Sequence, residues 1–280
     1  MKTKYILTLI IGLFFSACSE DALTDSIIKD SDEPTSEIDL WISENMNKPY
    51  NIEVVYKWDD EETEMSKNLV PAIEDSVIGF LDVLKTLWID TYVANAGEDF
   101  FKTLSPKQIL LIGSKSYNSD GTVTEGTAEG GRKIVLYSVN NFERHDKDDV
   151  KYMIHIVHHE FAHIMTQIKD YDESYGKITP AGYTSTWFNS TMAQAQEIGF
   201  ITNYAQMNTD EDFVEMIATI LTHTNEEWEQ TIAAIASADA RDALKQKEEM
   251  IADYFMTNWG IDLYQFQDLV SSEINKLVNP

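Results

Sequence analysis

The run His158-His159-Glu160-Phe161-Ala162-His163 constrains this chain more than any other stretch, because it sets imidazoles and a carboxylate into a segment that otherwise repeats at helical steps. Tyr152, Met153, Ile156 and Ile164 recur at three- and four-residue spacings across 150–168, the stripe of a helix packed on one side. Asp146, Asp148 and Asp149 crowd its start, where negative charge suits exposed amides, and the polar run 169–173 closes it. A fold that houses such a helix must satisfy the histidines by hydrogen bonds in a core or hold a cation between them. Residues four apart lie one turn above each other, so His159 and His163 can grip one divalent ion from a single face. Burying two imidazoles and an acid without a cation is the costlier solution. Glu160, one step round, can take the proton of a water held in the ion's open position.

Two histidines leave a catalytic zinc short of its usual three protein ligands, so a third, most often His or an acid, must come from later in the chain. Asn208, Thr209 and Asp210 read as a helix start, and Phe213, Met216, Ile217, Ile220 and Leu221 as its apolar stripe. Glu211 and Glu215 lie four apart on one face of this second helix. One can bind the metal while the other accepts the free ring N–H of a ligand histidine, fixing its tautomer. We assign Glu211 to the metal and Glu215 to the supporting position; the reverse assignment and a solvated face bearing both acids fit the same spacing. His223, at the end of this helix, is an outside candidate for the third ligand, although a cation near helix carbonyls explains it equally. His155 lies one turn before His159 and reads first as a satisfied structural histidine, with buttressing the site or touching substrate as the other readings. His158 points about a hundred degrees away and packs or caps. His145 has no argued role.

On these residues the chain resembles the Glu-zincin metallopeptidases, in which a His-Glu-x-x-His helix is followed by a second helix carrying an acidic third ligand. More closely, Tyr204 seven residues ahead of Glu211, with Phe213 and Glu215 after it, is similar to the spacing of the anthrax lethal factor and Pro-Pro-endopeptidase branch. The resemblance implies zinc on His159, His163 and Glu211, Glu160 as general base, Tyr204 as hydrogen-bond donor to the oxyanion, and Glu215 as the supporting acid. The whole chain also resembles zinc metallohydrolase lipoproteins of Bacteroidetes associated with outer-membrane nutrient importers. The motif match covers 152–221, within which 164–210 carries no family signature.

The amino terminus predicts a compartment. Lys2 and Lys4 precede an apolar run at 5–15 and then Ser16-Ala17-Cys18, the pattern of an export signal too short to span a membrane stably. Cys18 is the only cysteine and resembles the lipidated cysteine of a bacterial lipoprotein, which implies a mature chain that begins there, held by acyl chains. A plain secretory signal is the alternative. Ser19-Glu20-Asp21 resembles the acidic surface-export tag of Bacteroidetes lipoproteins, implying an outer-membrane protein exposed at the cell surface, with a periplasm-facing one as the other option. Losing a leader that holds Lys2 and Lys4 and no acid takes the formal charge from -27 to -29, which argues against nucleic acid and anionic lipid as partners.

The organisation expected is a signal at 1–17, a flexible acidic tether at 18–36 and a zincin-like α+β domain at 37–280, with an α/β lobe at 37–145 and a helical lobe at 146–280. Strands are predicted at 51–58, with Ile52, Val54 and Tyr56 on one face, at 109–113 and at 133–139, and a long helix at 70–92. A Gly-rich loop is expected at 121–131, a lid or specificity wall at 170–189, and helices at 226–236, 238–256 and 263–277. By resemblance, 134–139 is the strand expected to pair with an extended substrate. These readings converge on a zinc metallopeptidase in which a zinc-bound water, activated by Glu160, attacks a peptide carbonyl. The contrasting reading is a non-catalytic accessory or binding lipoprotein of a nutrient-import system.

Overall fold

The computed structural model describes residues 36–63, 66–119, 121–129 and 132–279; the leader, Cys18 and most of the tether lie outside the described residues. Residues from Ser36 onward form one compact unit. Its first helix, α1 (37–50), starts where the Ser36 hydroxyl accepts the Asp39 amide and passes through a π turn at Ser43–Asn47. Strand β1 (Glu53–Val55) follows, then α2 (74–96), α3 (Glu98–Leu104) and β2 (Gln108–Leu111). Strands β3 (Ser116–Tyr117) and β4 (Val123–Thr124) make an antiparallel hairpin, and β5 (Gly126–Glu129) leads to β6 (Lys133–Leu136).

The four-stranded sheet has the order β1-β2-β6-β5, with β5 alone antiparallel to its neighbour. Its inner strands are buried on both faces, which is why β2 and β6 read as unbroken apolar runs. Ile109, Leu111, Ile134 and Leu136 join the main core, while Leu110, Ile112 and Val135 pack with Val55, Leu69 and Tyr137 on the other side. Ile52, Val54 and Tyr56 are buried as their alternation predicts, although β1 itself is shorter than 51–58.

Two expectations fail here. Strand β6 is paired on both sides and offers no free edge, so 134–139 cannot take a substrate strand; the edge belongs to β5. And 121–131 is not simply a loop, since it contains β4 and β5. Gly126, Thr127 and Ala128 lack the apolar alternation that marks a strand, and their pairing is imposed by β6.

Helix α4 (Lys147–Ile168) crosses the centre. Asp146 caps it, accepting the amides of Asp148 and Asp149, and Val150, Ile154, Val157 and Phe161 are fully buried. Tyr152 does not belong to the core stripe as the spacing predicts: it is 51% exposed. After α4 the chain runs through 3-10 turns at Tyr175–Lys177, Pro180–Gly182 and Trp187–Asn189 to the short α5 (Met192–Gln196). A further 3-10 turn at Tyr204–Met207 precedes α6 (Thr209–Thr222), and α7 (Asn225–Ala234), α8 (238–259) and α9 (Leu263–Val278) complete the chain.

Candidate metal centre

Helices α4 and α6 pack side by side and bring the predicted residues together. Asn208 caps α6 by accepting the Glu211 amide (3.0 Å), which sets Glu211 in the first turn and Glu215 one turn on. The Nε2 atoms of His159 and His163 stand 3.2 Å apart, and Glu211 Oε2 lies 3.1 Å from the first and 3.4 Å from the second. Ligand atoms about 2.0–2.1 Å from a tetrahedral zinc are separated by about 3.3 Å, so the three distances fit one ion.

The hydrogen bonds behind the triad decide which atoms are free to bind. Glu215 Oε1 accepts from His159 Nδ1 (2.8 Å) and from His155 Nε2 (3.0 Å), and its Oε2 accepts from the Thr202 hydroxyl (2.8 Å). A carboxylate in this role only accepts, so Nδ1 of His159 carries the hydrogen and Nε2 presents a lone pair toward His163. Glu211 Oε2 is buried and takes a hydrogen bond from neither imidazole. Two imidazole nitrogens and a carboxylate oxygen gathered around one point are the donor set of a divalent cation. Residues and ion therefore fit. His155, His159 and Glu215 also converge, but their approach is filled by ring N–H donors.

Electrostatics point the same way. Burial alone would lower the pKa of His159, yet the nearness of Glu211 and Glu215 pushes it up to about 10. Burial opposes ionisation of Glu215, but His155 and His159 hold its carboxyl well below the usual range. Glu160, 6% exposed, is shifted the other way: burial raises its pKa, with Glu211 and Glu215 adding to the rise and the two histidines opposing it. That makes it a stronger base toward a nearby water. Tyr204 is raised by burial and by Glu211, Glu160 and Glu215, so its hydroxyl keeps its proton and can donate. Its ring lies 5.9 Å from that of His159 and 4.9 Å from that of Trp187.

The remaining histidines separate cleanly. His155 buttresses Glu215. His158 is fully buried among Tyr92 and Phe266, with its pKa lowered to about 3 by burial and neither ring nitrogen hydrogen-bonded. His223 donates Nδ1–H to the Thr219 carbonyl (2.8 Å); burial lowers its pKa, so it closes α6 as a neutral ring and stands outside the triad. His145 is exposed before α4.

The triad's wall opens on a cleft of about 860 Å³ lined by His159, Glu160, Trp187, Tyr204, Glu125 and Tyr152 among others. Trp187, within the 170–189 segment, lines this cleft. Sequence reasoning missed Thr202, which sits in a turn with no periodicity, and a buried pair beside the site: Asp212 and Lys247, 2.6 Å apart with side chains wholly buried. Lys247 carried a legible signal, since it occupies the apolar stripe of α8 between Leu244 and Ile251.

No curated protein matches the chain. Among solved structures, the crystal structure of a "putative zinc-binding metallo-peptidase" from Bacteroides caccae is 34% identical, covers 91% of this chain and 98% of its own, and superposes with a TM-score of 0.75. The likeness extends to the α+β fold expected from sequence. The family model described as "Putative zinc-binding metallo-peptidase" matches residues 31–264, most of the sequence, and the chain belongs to that family.

Proposed function

We propose that the chain is a zinc-dependent peptidase in which His159, His163 and Glu211 hold the ion and Glu160 is the general base. The observation that carries this reading is the convergence of the His159 and His163 Nε2 atoms and a Glu211 carboxylate oxygen, with Glu160 next in sequence to His159 and the cleft lined by His159 and Glu160. When bound, zinc polarises a carbonyl and lowers the pKa of a water to about 7. Glu160 takes the proton of the attacking water and returns it to the leaving amine. The Tyr204 hydroxyl donates to the oxygen on which negative charge builds. Glu215, itself held by His155 and Thr202, keeps His159 in the tautomer that leaves Nε2 free. The edge of β5, rather than β6, receives an extended substrate, with backbone hydrogen bonds supplying affinity.

The lipid anchor on Cys18, the placement on the outer membrane and an importer partner belong to the same proposal and rest on the amino-terminal sequence alone. The test is incubation of zinc-loaded protein with a diverse peptide mixture, reading cut sites by mass spectrometry. Glu160→Gln should retain zinc and lose turnover by about 100-fold to 10,000-fold. Unchanged turnover in that variant would remove Glu160 from the mechanism, and no cleavage by the wild type would favour the accessory role.

A further inference from the structure

We infer that Glu125, with Tyr152, recognises a cationic group of the substrate, a Lys or Arg side chain within two residues of the cut bond; the inference rests on the peptidase reading. Glu125 immediately precedes the edge strand β5 and lines the cleft. The next residue, Gly126, approaches α4 so closely that a Cβ there would stand 2.5 Å from Ile156 Cγ2 and 3.1 Å from Glu160 Oε1. Glu125 is therefore the sequence neighbour of the residue that packs against the base. An extended chain advances about 3.3 Å per residue, so a substrate strand lying along β5 brings one of the residues flanking the attacked bond within reach of it.

Charge accounting along the cleft singles this carboxylate out. Glu160 and Glu215 belong to the metal centre. Lys151 is already paired with Glu227 (3.0 Å), which also takes Lys147 (3.2 Å). Among the described residues Glu125 has no such cationic partner; the Tyr152 hydroxyl bonds to it. A carboxylate on the cleft wall with no cation of the chain's own is open to a charge-assisted bond from a guanidinium or ammonium group. Tyr152, 51% exposed on the cleft, adds an aromatic face beside the carboxylate, a second attraction for the same cation. The field of a chain with formal charge -27 steers cationic peptides inward.

The experiment compares paired peptides that differ only in Arg or norleucine at each position flanking the cut, using the zinc-loaded chain. The wild type should favour Arg at one flanking position by about tenfold to a hundredfold in kcat/KM. Glu125→Gln should collapse that ratio toward one, and Glu125→Lys should take it below one. Cleavage without an Arg preference, or a preference that survives Glu125→Gln, overturns the inference and leaves the peptidase reading intact. If nothing is cut, equilibrium binding of the same peptide pairs decides. Arg-favoured binding that Glu125→Gln abolishes upholds Glu125 and defeats the peptidase reading, whereas equal or absent binding defeats both.

Discussion

Two acids sit one residue apart on α6, Asp212 wholly buried and Glu211 partly so, and are met in opposite ways. Asp212 faces Lys247 at 2.6 Å; the Tyr183 hydroxyl donates to the same Oδ2 at 2.9 Å, and Lys247 also donates to the Gly199 carbonyl at 2.7 Å. The chain supplies its own cation there, and the result is a bolt that ties α8 and the segment after α4 to the start of α6. Glu211 faces the Nε2 atoms of two imidazoles, 3.1 and 3.4 Å from its Oε2. Among the described residues no lysine or arginine pairs with it. A buried carboxylate persists only if something positive meets it, so withholding a lysine from Glu211 reserves the place for a cation from solution.

The largest effects should follow from breaking the closed cluster. Lys247→Met strands Asp212 as an uncompensated buried charge and should cost about 3–5 kcal/mol in denaturant unfolding of the apo protein. Asp212→Asn with Lys247→Met should recover most of that loss. A double variant no more stable than the single one would mean that the pair is not the source of the cost. Next come the open cluster's acids. Glu211→Ala removes a ligand and should weaken zinc by more than about a hundredfold, while Glu215→Ala, which only frees the ring of His159, should cost about tenfold to a hundredfold. Competition titration with a chelator gives the order, and the opposite order would exchange their roles. The contrast extends to stability: zinc at a hundred times its Kd should add about 2.7 kcal/mol to the wild type, and nothing comparable at that concentration to Glu211→Ala or to the protein in excess chelator.

How much of this was readable beforehand follows from which interactions are local. Both metal-centre helices were legible because a stripe with period 3.6 and a capping residue are written in consecutive positions, and Glu211 and Glu215 follow from a one-turn spacing. Sheet order is not local. Strand β6 lies between β2 and β5 because of contacts far apart in sequence, so the position of the edge could not be read from the run 133–139. Strand β5 itself has small residues and no alternation, and only its partner makes it a strand. Thr202 reaches Glu215 from a turn with no period to betray it. Tyr152 matched the helical spacing yet faces the cleft, because spacing fixes an angle round the helix and not what lies beyond it.

His158 offers a smaller test of the same distinction, since it adjoins His159 yet packs among Tyr92 and Phe266 on another side of α4. Both its nitrogens are buried and unbonded, and its pKa is lowered by burial to about 3, so it packs as a neutral ring. His158→Phe removes two unsatisfied polar atoms while keeping an aromatic of similar shape, and should be neutral or stabilising by about 1 kcal/mol. Zinc affinity should stay as it was. Loss of metal in that variant would show that the two faces of α4 are not independent.

The smallest effect belongs to a charge cluster that the chain also closes for itself, but at the surface. Burial opposes ionisation of Glu227, yet the Thr224 amide, Lys151 and Lys147 hold its pKa at about 2. Its folded value lies below the ordinary glutamate value, so it contributes stability above about pH 4.5, which is lost as pH falls toward 2. Its side chain is one-third exposed, and solvent screening keeps the contribution small. Unfolding of the apo protein across that window should therefore be slightly less acid-sensitive in Glu227→Gln than in the wild type. Measuring both without metal cancels the titration they share, including that of the histidines. Equal slopes would mean that the lysines around Glu227 do not stabilise its charge, and that effective closure by the chain's own cations is confined to the buried pair.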